Sequence, residues 1–152
     1  MKDSQSLKVF VPTSHLHGAG RDRYIFGHSL GGAITMRLST EVDDAKGLIV
    51  EGTFTSIPAV VGTMKWGWLP VAPLITQRFN SADRIAKVKV PVLVVHGDAD
   101  ALIRPELGRA LYERAASPKR FVLVPGSTHY STNGLGQAKY REALRELFGV
   151  GT

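Results

Sequence analysis

The sequence predicts an α/β fold, a mostly parallel sheet with flanking helices, and three observations carry the prediction. From Tyr24 onward, apolar runs of strand length alternate with helix-length amphipathic stretches, an order that calls for crossover connections and hence parallel strands. The run Pro91-Val92-Leu93-Val94-Val95-His96-Gly97 shows no apolar–polar alternation, so a strand there is covered on both faces. Polar residues capable of chemistry stand just beyond the carboxyl ends of the expected strands, where open α/β sheets place their sites.

Taken in order, the chain starts irregularly. Met1 to Ser6 is polar, Leu7 to Val11 is a short β-favouring run, and Pro12 to Arg23 is rich in glycine, histidine and turn residues, so residues 1–23 read as an atypical N-terminal segment. Leu7 to Val11 is too short, and with Lys8 too polar, to be the apolar core of a secretory signal. Tyr24 to Phe26 reads as the end of a buried strand. Gly31 to Glu41 reads as a helix with Ala33, Ile34, Met36 and Leu38 apolar, and Gly47 to Glu51 as the next strand.

Gly52 to Gln77 is a long apolar segment interrupted by Pro58, Pro70 and Pro73. Residues 53–78 are expected to form a lid or cap excursion, with Trp66 and Trp68 either contacting substrate or packing over the sheet. Its most apolar part, Ala59 to Ile75, contains Lys65 and two prolines and is marginal for crossing a bilayer, so no integral membrane span is expected. Ser81 to Val88 reads as a short helix capped by Ser81, and Pro105 to Ala115 as a helix with Pro105 near its first position. Arg120 to Val124 is the last strand, Pro125 to His129 its exit loop, and Leu135 to Phe148 a closing amphipathic helix.

The 152 residues suffice for a single domain, one that buries about two-thirds of its unfolded surface. Neither low-complexity tracts nor repeats are visible, so disordered and solenoid architectures have no support. The chain has no cysteine, which removes disulfides and thiolate metal sites and fits a reducing, cytoplasmic location. Nineteen Lys and Arg against 13 Asp and Glu give a formal charge of +6. The basic residues Arg21, Arg23, Arg37, Arg78, Arg104 and Arg120 are scattered rather than gathered into a stripe with aromatics, and no nucleic-acid partner is expected. The histidines and carboxylates lack H-E-x-x-H or similar spacing and no P-loop is present, so neither a metal nor another cofactor is expected.

Gly27-His28-Ser29-Leu30-Gly31 has the form G-x-S-x-G. That pattern turns a strand into a helix so tightly that side chains flanking the serine must be absent, and Gly27 and Gly31 supply that absence. A dinucleotide fingerprint would need G-x-G-x-x-G, and Gly27 to Gly32 lacks the second glycine. Ser29 therefore reads as a nucleophile, with the Leu30 N–H at the helix start as an oxyanion donor. An acid, Asp98 or Asp100, and a base, His129, follow at the exits of later strands, in the chain order Ser, acid, His. His129 competes with His15, His17, His28 and His96, and its place after the last strand selects it.

These phrases, with Pro91 to Asp100 and Val124-Pro125-Gly126-Ser127-Thr128-His129, resemble the later part of the α/β-hydrolases of the serine esterase, lipase and peptidase type. The resemblance implies that the acid lies three residues after the glycine ending its strand, which selects Asp100 over Asp98. It implies a Ser29, Asp100, His129 triad, a covalent acyl-enzyme and hydrolysis of a carboxylic ester, with His28, Trp66 and Trp68 near the substrate. An amide, a thioester, a lactone or acyl transfer would use the same residues.

Members of that superfamily carry several strands before the nucleophile strand, whereas 28 residues precede Ser29 here. Either Leu7 to Val11 replaces one strand and His15 to Gly20 mimics the missing oxyanion loop, or the fold is truncated. A truncated sheet leaves an open edge along Tyr24 to Phe26, for which a homodimer or larger homo-oligomer is expected. The alternative to an enzyme is a weak or inactive remnant serving as an assembly module.

Overall fold

The computed structural model describes residues 22–63 and 80–150. Four strands form one parallel sheet in chain order: β1 (Arg23–His28), β2 (Ala45–Glu51), β3 (Val92–Gly97) and β4 (Lys119–Val124). Between and after them lie α1 (Leu30–Glu41), α2 (Ile57–Thr63), α3 (Ser81–Ile85), α4 (Pro105–Arg114), α5 (Thr132–Leu135) and α6 (Gln137–Phe148). The predicted alternation and parallel pairing are thus present. Leu7 to Val11, His15 to Gly20 and both tryptophans lie outside the described residues.

Every residue of β3 is buried, and so is every residue of β2 except Lys46. The period of two along each strand sorts the apolar side chains into two cores. On one face, Leu48, Val50, Val92 and Val94 meet Met36 of α1, Ile85 of α3 and Leu111 of α4. On the other, Ile49, Leu93, Val95, Val122 and Val124 meet Ala143, with Tyr140, Leu144, Leu147 and Phe148 of α6 packed against them. Full burial of each large aliphatic side chain contributes about 1.5–3 kcal/mol, which is why a continuous apolar run rather than an alternating one belongs at the centre of the sheet.

Two local expectations are corrected. Ser81 does not cap its helix: Asn80 does, its side chain accepting the Asp83 N–H at 3.3 Å, while Ser81 is the first helical residue and buried. The closing helix does not begin at Leu135. It is divided at Gly136, whose N–H donates to the Thr132 carbonyl at 2.9 Å and whose α-carbon lies so close to Val124 that an added Cβ would stand 2.7 Å from a Val124 methyl. Packing onto β4 at that point ends one helical turn and starts another.

The register aligns the strand exits. His28 is level with Glu51, Glu51 with Val95, and Gly97 with Val124. Ser29, Gly52, the Asp98 to Asp100 turn and the Pro125 to His129 loop therefore leave the sheet along one edge.

Candidate active site

Ser29 has φ 54° and ψ −125°, and it is the sole non-glycine residue with positive φ among those described. A side chain held there stores about 1–3 kcal/mol of strain, so the surroundings must enforce it. The Ser29 N–H donates to the Glu51 carbonyl at 2.9 Å, and the Ser29 carbonyl accepts the Gly32 N–H at 3.0 Å and the Thr53 hydroxyl at 2.9 Å. A Cβ on Gly27 would collide with the Thr35 hydroxyl and the Gly31 carbonyl. Of the two glycines read as sterically required, Gly27 is one and Gly31 is not, since a Cβ on Gly31 would meet nothing. Gly32 takes that place: its Cβ would stand 2.5 Å from the Thr53 hydroxyl that holds Ser29.

Although Ser29 occupies the N-cap position of α1, its side chain makes no capping hydrogen bond, unlike an ordinary N-cap serine. Leu30 is the first residue of α1, so its N–H is among those with no acceptor inside the helix.

Asp100 and His129 are brought together at the exits of β3 and β4. His129 Nδ1–H donates to Asp100 Oδ2 at 2.7 Å, and both residues are 4% exposed. Asp100 Oδ1 accepts the N–H groups of Leu102 at 3.0 Å and Ile103 at 2.8 Å. Burial pushes the Asp100 carboxyl up, but hydrogen bonds from His129, His96 and the Ile103 N–H, together with the charge of His129, outweigh it and hold the group well below the usual carboxylate range. A carboxylate only accepts, so Nδ1 of His129 carries a proton, and the tautomer this selects is the one whose Nε2 has the lone pair. Asp98 is exposed and its Oδ1 accepts the Gly126 N–H at 2.7 Å, tying the β3 exit to the loop that carries His129.

His28 and Gly52 bring the two halves together. His28 Nε2–H donates to the His129 carbonyl at 2.9 Å, and the two imidazoles meet at a tilt of 52° with centroids 4.7 Å apart. Gly52 has φ +54°, and a Cβ on it would stand 3.2 Å from Cε1 and Nδ1 of His129. The His129 ring thus lies over the residue next to the carbonyl that holds the Ser29 N–H. The expectation that His28 contacts substrate meets a ring already engaged with His129.

Four contributors escaped sequence reading. Thr53 holds Ser29, Gly52 admits His129, and Tyr130 is 70% exposed and meets the His129 ring edge-on at 4.9 Å. Glu51 is buried and accepts the Tyr140 hydroxyl at 3.2 Å; burial, the Glu51 charge and that hydrogen bond together raise the phenol above its ordinary value. The Gly52-Thr53 step after an apolar strand was the one available signal. Among the described residues no group of His, Asp and Glu is arranged to hold a metal ion, and no helix is long and apolar enough to cross a membrane.

A parallel sheet with a strained serine at the exit of β1 and a buried Asp–His pair at the exits of β3 and β4 is the arrangement of an α/β-hydrolase fold. The family model described as serine aminopeptidase, S33, matches residues 58–134, just over half of the chain, a span that includes Asp100 and His129. The chain belongs to that family of α/β-hydrolases. It is 38% identical over 122 residues to an uncharacterized protein of Mycobacterium tuberculosis, covering 80% of this chain and 43% of the relative. It is 33% identical to the alpha/beta hydrolase domain-containing protein WAV2 of Arabidopsis thaliana, covering 71% of this chain and 40% of that protein. The chain thus spans less than half the length of these relatives. Its fold is similar to that of a Paleococcus ferrophilus monoacylglycerol lipase, with TM-score 0.59 and 20% identity over 86% of this chain and 69% of the lipase.

Proposed function

We propose that the chain is a serine hydrolase of carboxylic esters, working through Ser29, His129 and Asp100. The observation that carries the reading is the Asp100–His129 pair, joined at 2.7 Å and laid over Gly52, with the His129 carbonyl bonded to His28, the residue before a serine with φ 54°. In this reading His129 Nε2 takes the Ser29 proton as the oxygen attacks the acyl carbonyl. Asp100 holds the tautomer and stabilises the imidazolium. The tetrahedral intermediate expels the alcohol, which receives the proton from His129, and leaves an acyl-serine. Water, deprotonated by the same nitrogen, then attacks the acyl carbon, and the acid is released as the bond to Ser29 Oγ breaks and His129 returns the proton to that oxygen. The Leu30 N–H donates to the oxyanion, a contact that contributes about 10²–10³ in turnover in such sites.

The fold neighbour named a monoacylglycerol lipase supports an ester with an apolar acyl group, and the family description supports an amide as the competing substrate. Among the described residues β1 pairs only with β2, which supports a homo-oligomer formed at that edge. The absence of cysteine supports a cytoplasmic location. The test is hydrolysis of a short-chain p-nitrophenyl ester and of an aminoacyl p-nitroanilide by the purified chain beside Ser29→Ala and His129→Ala. Ester turnover lost in both variants is the expected result. No turnover above the variants, in folded protein, overturns the reading and leaves the assembly module.

A further inference from the structure

His96 is a buried residue without a role in the proposed reaction. It lies on β3 with a side chain fully shielded from solvent. Its Nε2 is 2.8 Å from the Ile103 carbonyl and 3.3 Å from Asp100 Oδ2. Both neighbours are acceptors, so Nε2 carries the proton; it donates to the Ile103 carbonyl, with Asp100 Oδ2 also within reach of the same edge of the ring. The other nitrogen, Nδ1, is buried with no hydrogen-bond partner. It faces Gly108 of α4, where a Cβ would collide with it. A bare nitrogen left without a partner costs free energy that an apolar side chain in the same space would avoid, so the ring needs another reason to be there.

We infer that His96 is a positioning residue that fixes Asp100 for His129. Asp100 Oδ1 is held by two backbone N–H groups at one end of the turn, Leu102 and Ile103. The Nε2–H of His96 donates to the Ile103 carbonyl while Nε2 stands 3.3 Å from the far oxygen, Oδ2, so the ring spans the turn and opposes rotation of the carboxylate about its own bond. The oxygen it contacts is the one that accepts from His129. With Oδ2 pinned from the strand side, the His129 ring is left one well-defined acceptor, and Nε2 of His129 is aimed accordingly. Gly108 permits this because helix α4 passes too close to the ring for any side chain there. The inference rests on the reading of Asp100 and His129 as acid and base.

The test is made on the whole chain with ¹⁵N-labelled histidine, following the Nδ1–H proton resonance of His129, and in parallel on ester turnover. His96→Leu keeps the bulk and removes the donor; His96→Gln restores a donor near the position of Nε2. The expected result is a displaced or broadened His129 Nδ1–H resonance in His96→Leu, returned towards its original position in His96→Gln. Turnover is expected to show kcat lowered by about 10-fold to 10²-fold in His96→Leu with KM little changed, recovering in His96→Gln. Should His96→Leu not fold, Gly108→Ala serves instead. It favours the helix and touches neither Asp100 nor His129, yet it must push His96 aside and so move the same resonance. An unchanged His129 resonance in folded His96→Leu or Gly108→Ala overturns the inference. A resonance that responds as expected in a chain without esterase activity upholds the positioning of Asp100 and counts against ester hydrolysis alone.

Discussion

The serine elbow and the Asp100–His129 arm reach the same sheet edge by different physical means. At the elbow, geometry is imposed by exclusion: Gly27 and Gly32 leave no room for side chains against Thr35 and Thr53, and Ser29 is forced to φ 54°. In the arm, geometry is imposed by attraction. Asp100 and His129 are held by hydrogen bonds from Leu102, Ile103 and His28, with His96 Nε2 3.3 Å from the carboxylate, and the two loops are tied by Asp98 to Gly126. An element set by sterics resists acid and salt but fails when a methyl is added. An element set by hydrogen bonds to a carboxylate tolerates small changes of volume and fails when the charge is removed.

The largest expected effect separates function from stability at the elbow. Ser29→Ala lowers ester turnover by about 10³ or more while leaving the urea midpoint nearly unchanged. Ser29→Gly loses the same turnover yet raises unfolding free energy by about 1 kcal/mol, because glycine adopts positive φ without strain. A glycine variant less stable than wild type would show that the serine is not strained.

Next comes the steric contrast within the motif. Gly27→Ala is expected to destabilise by about 1–3 kcal/mol through overpacking. Gly31→Ala is expected to be neutral, or stabilising by up to about 1 kcal/mol, since it faces open space and alanine favours a helix. Denaturant melts of the two variants check this, and equal losses would contradict the assignment of the close contact to Gly27.

The arm is expected to respond to pH where the elbow does not. Asp100 has a folded pKa lowered below its unfolded value, so its contribution is fully present above about pH 4, the ordinary aspartate value, and is lost as pH falls through the folded one. Asp100→Asn is therefore destabilised relative to wild type at neutral pH, and the gap between their urea midpoints narrows as pH is lowered from about 4. A gap independent of pH would mean that the carboxylate charge does not hold the loop.

The same contrast explains how much was legible in the sequence. The Ser29 turn was readable because steric exclusion acts between residues a few positions apart and leaves glycines at fixed spacing, though which second glycine was needed depended on Thr53, 24 residues away. The parallel sheet was readable from the unalternating run of β3. The break at Gly136 was not, because the contact that divides the helix lies on Val124. His96 could not be placed from the sequence either. Its meaning comes from register and from the passage of α4 over β3, which puts Gly108 against one ring nitrogen and Asp100 near the other. Glu51 escaped for a similar reason, since its partner Tyr140 reaches it from α6.

The most direct measurement of the central claim is the rate at which a fluorophosphonate labels the purified chain, with the adduct located by mass spectrometry and the rate compared with that of His129→Ala. Rapid labelling confined to Ser29, slowed by at least about 10²-fold in the variant, is the predicted result. A folded chain that does not label at Ser29, or that labels equally fast without His129, would contradict the activation of this serine by the Asp100–His129 pair.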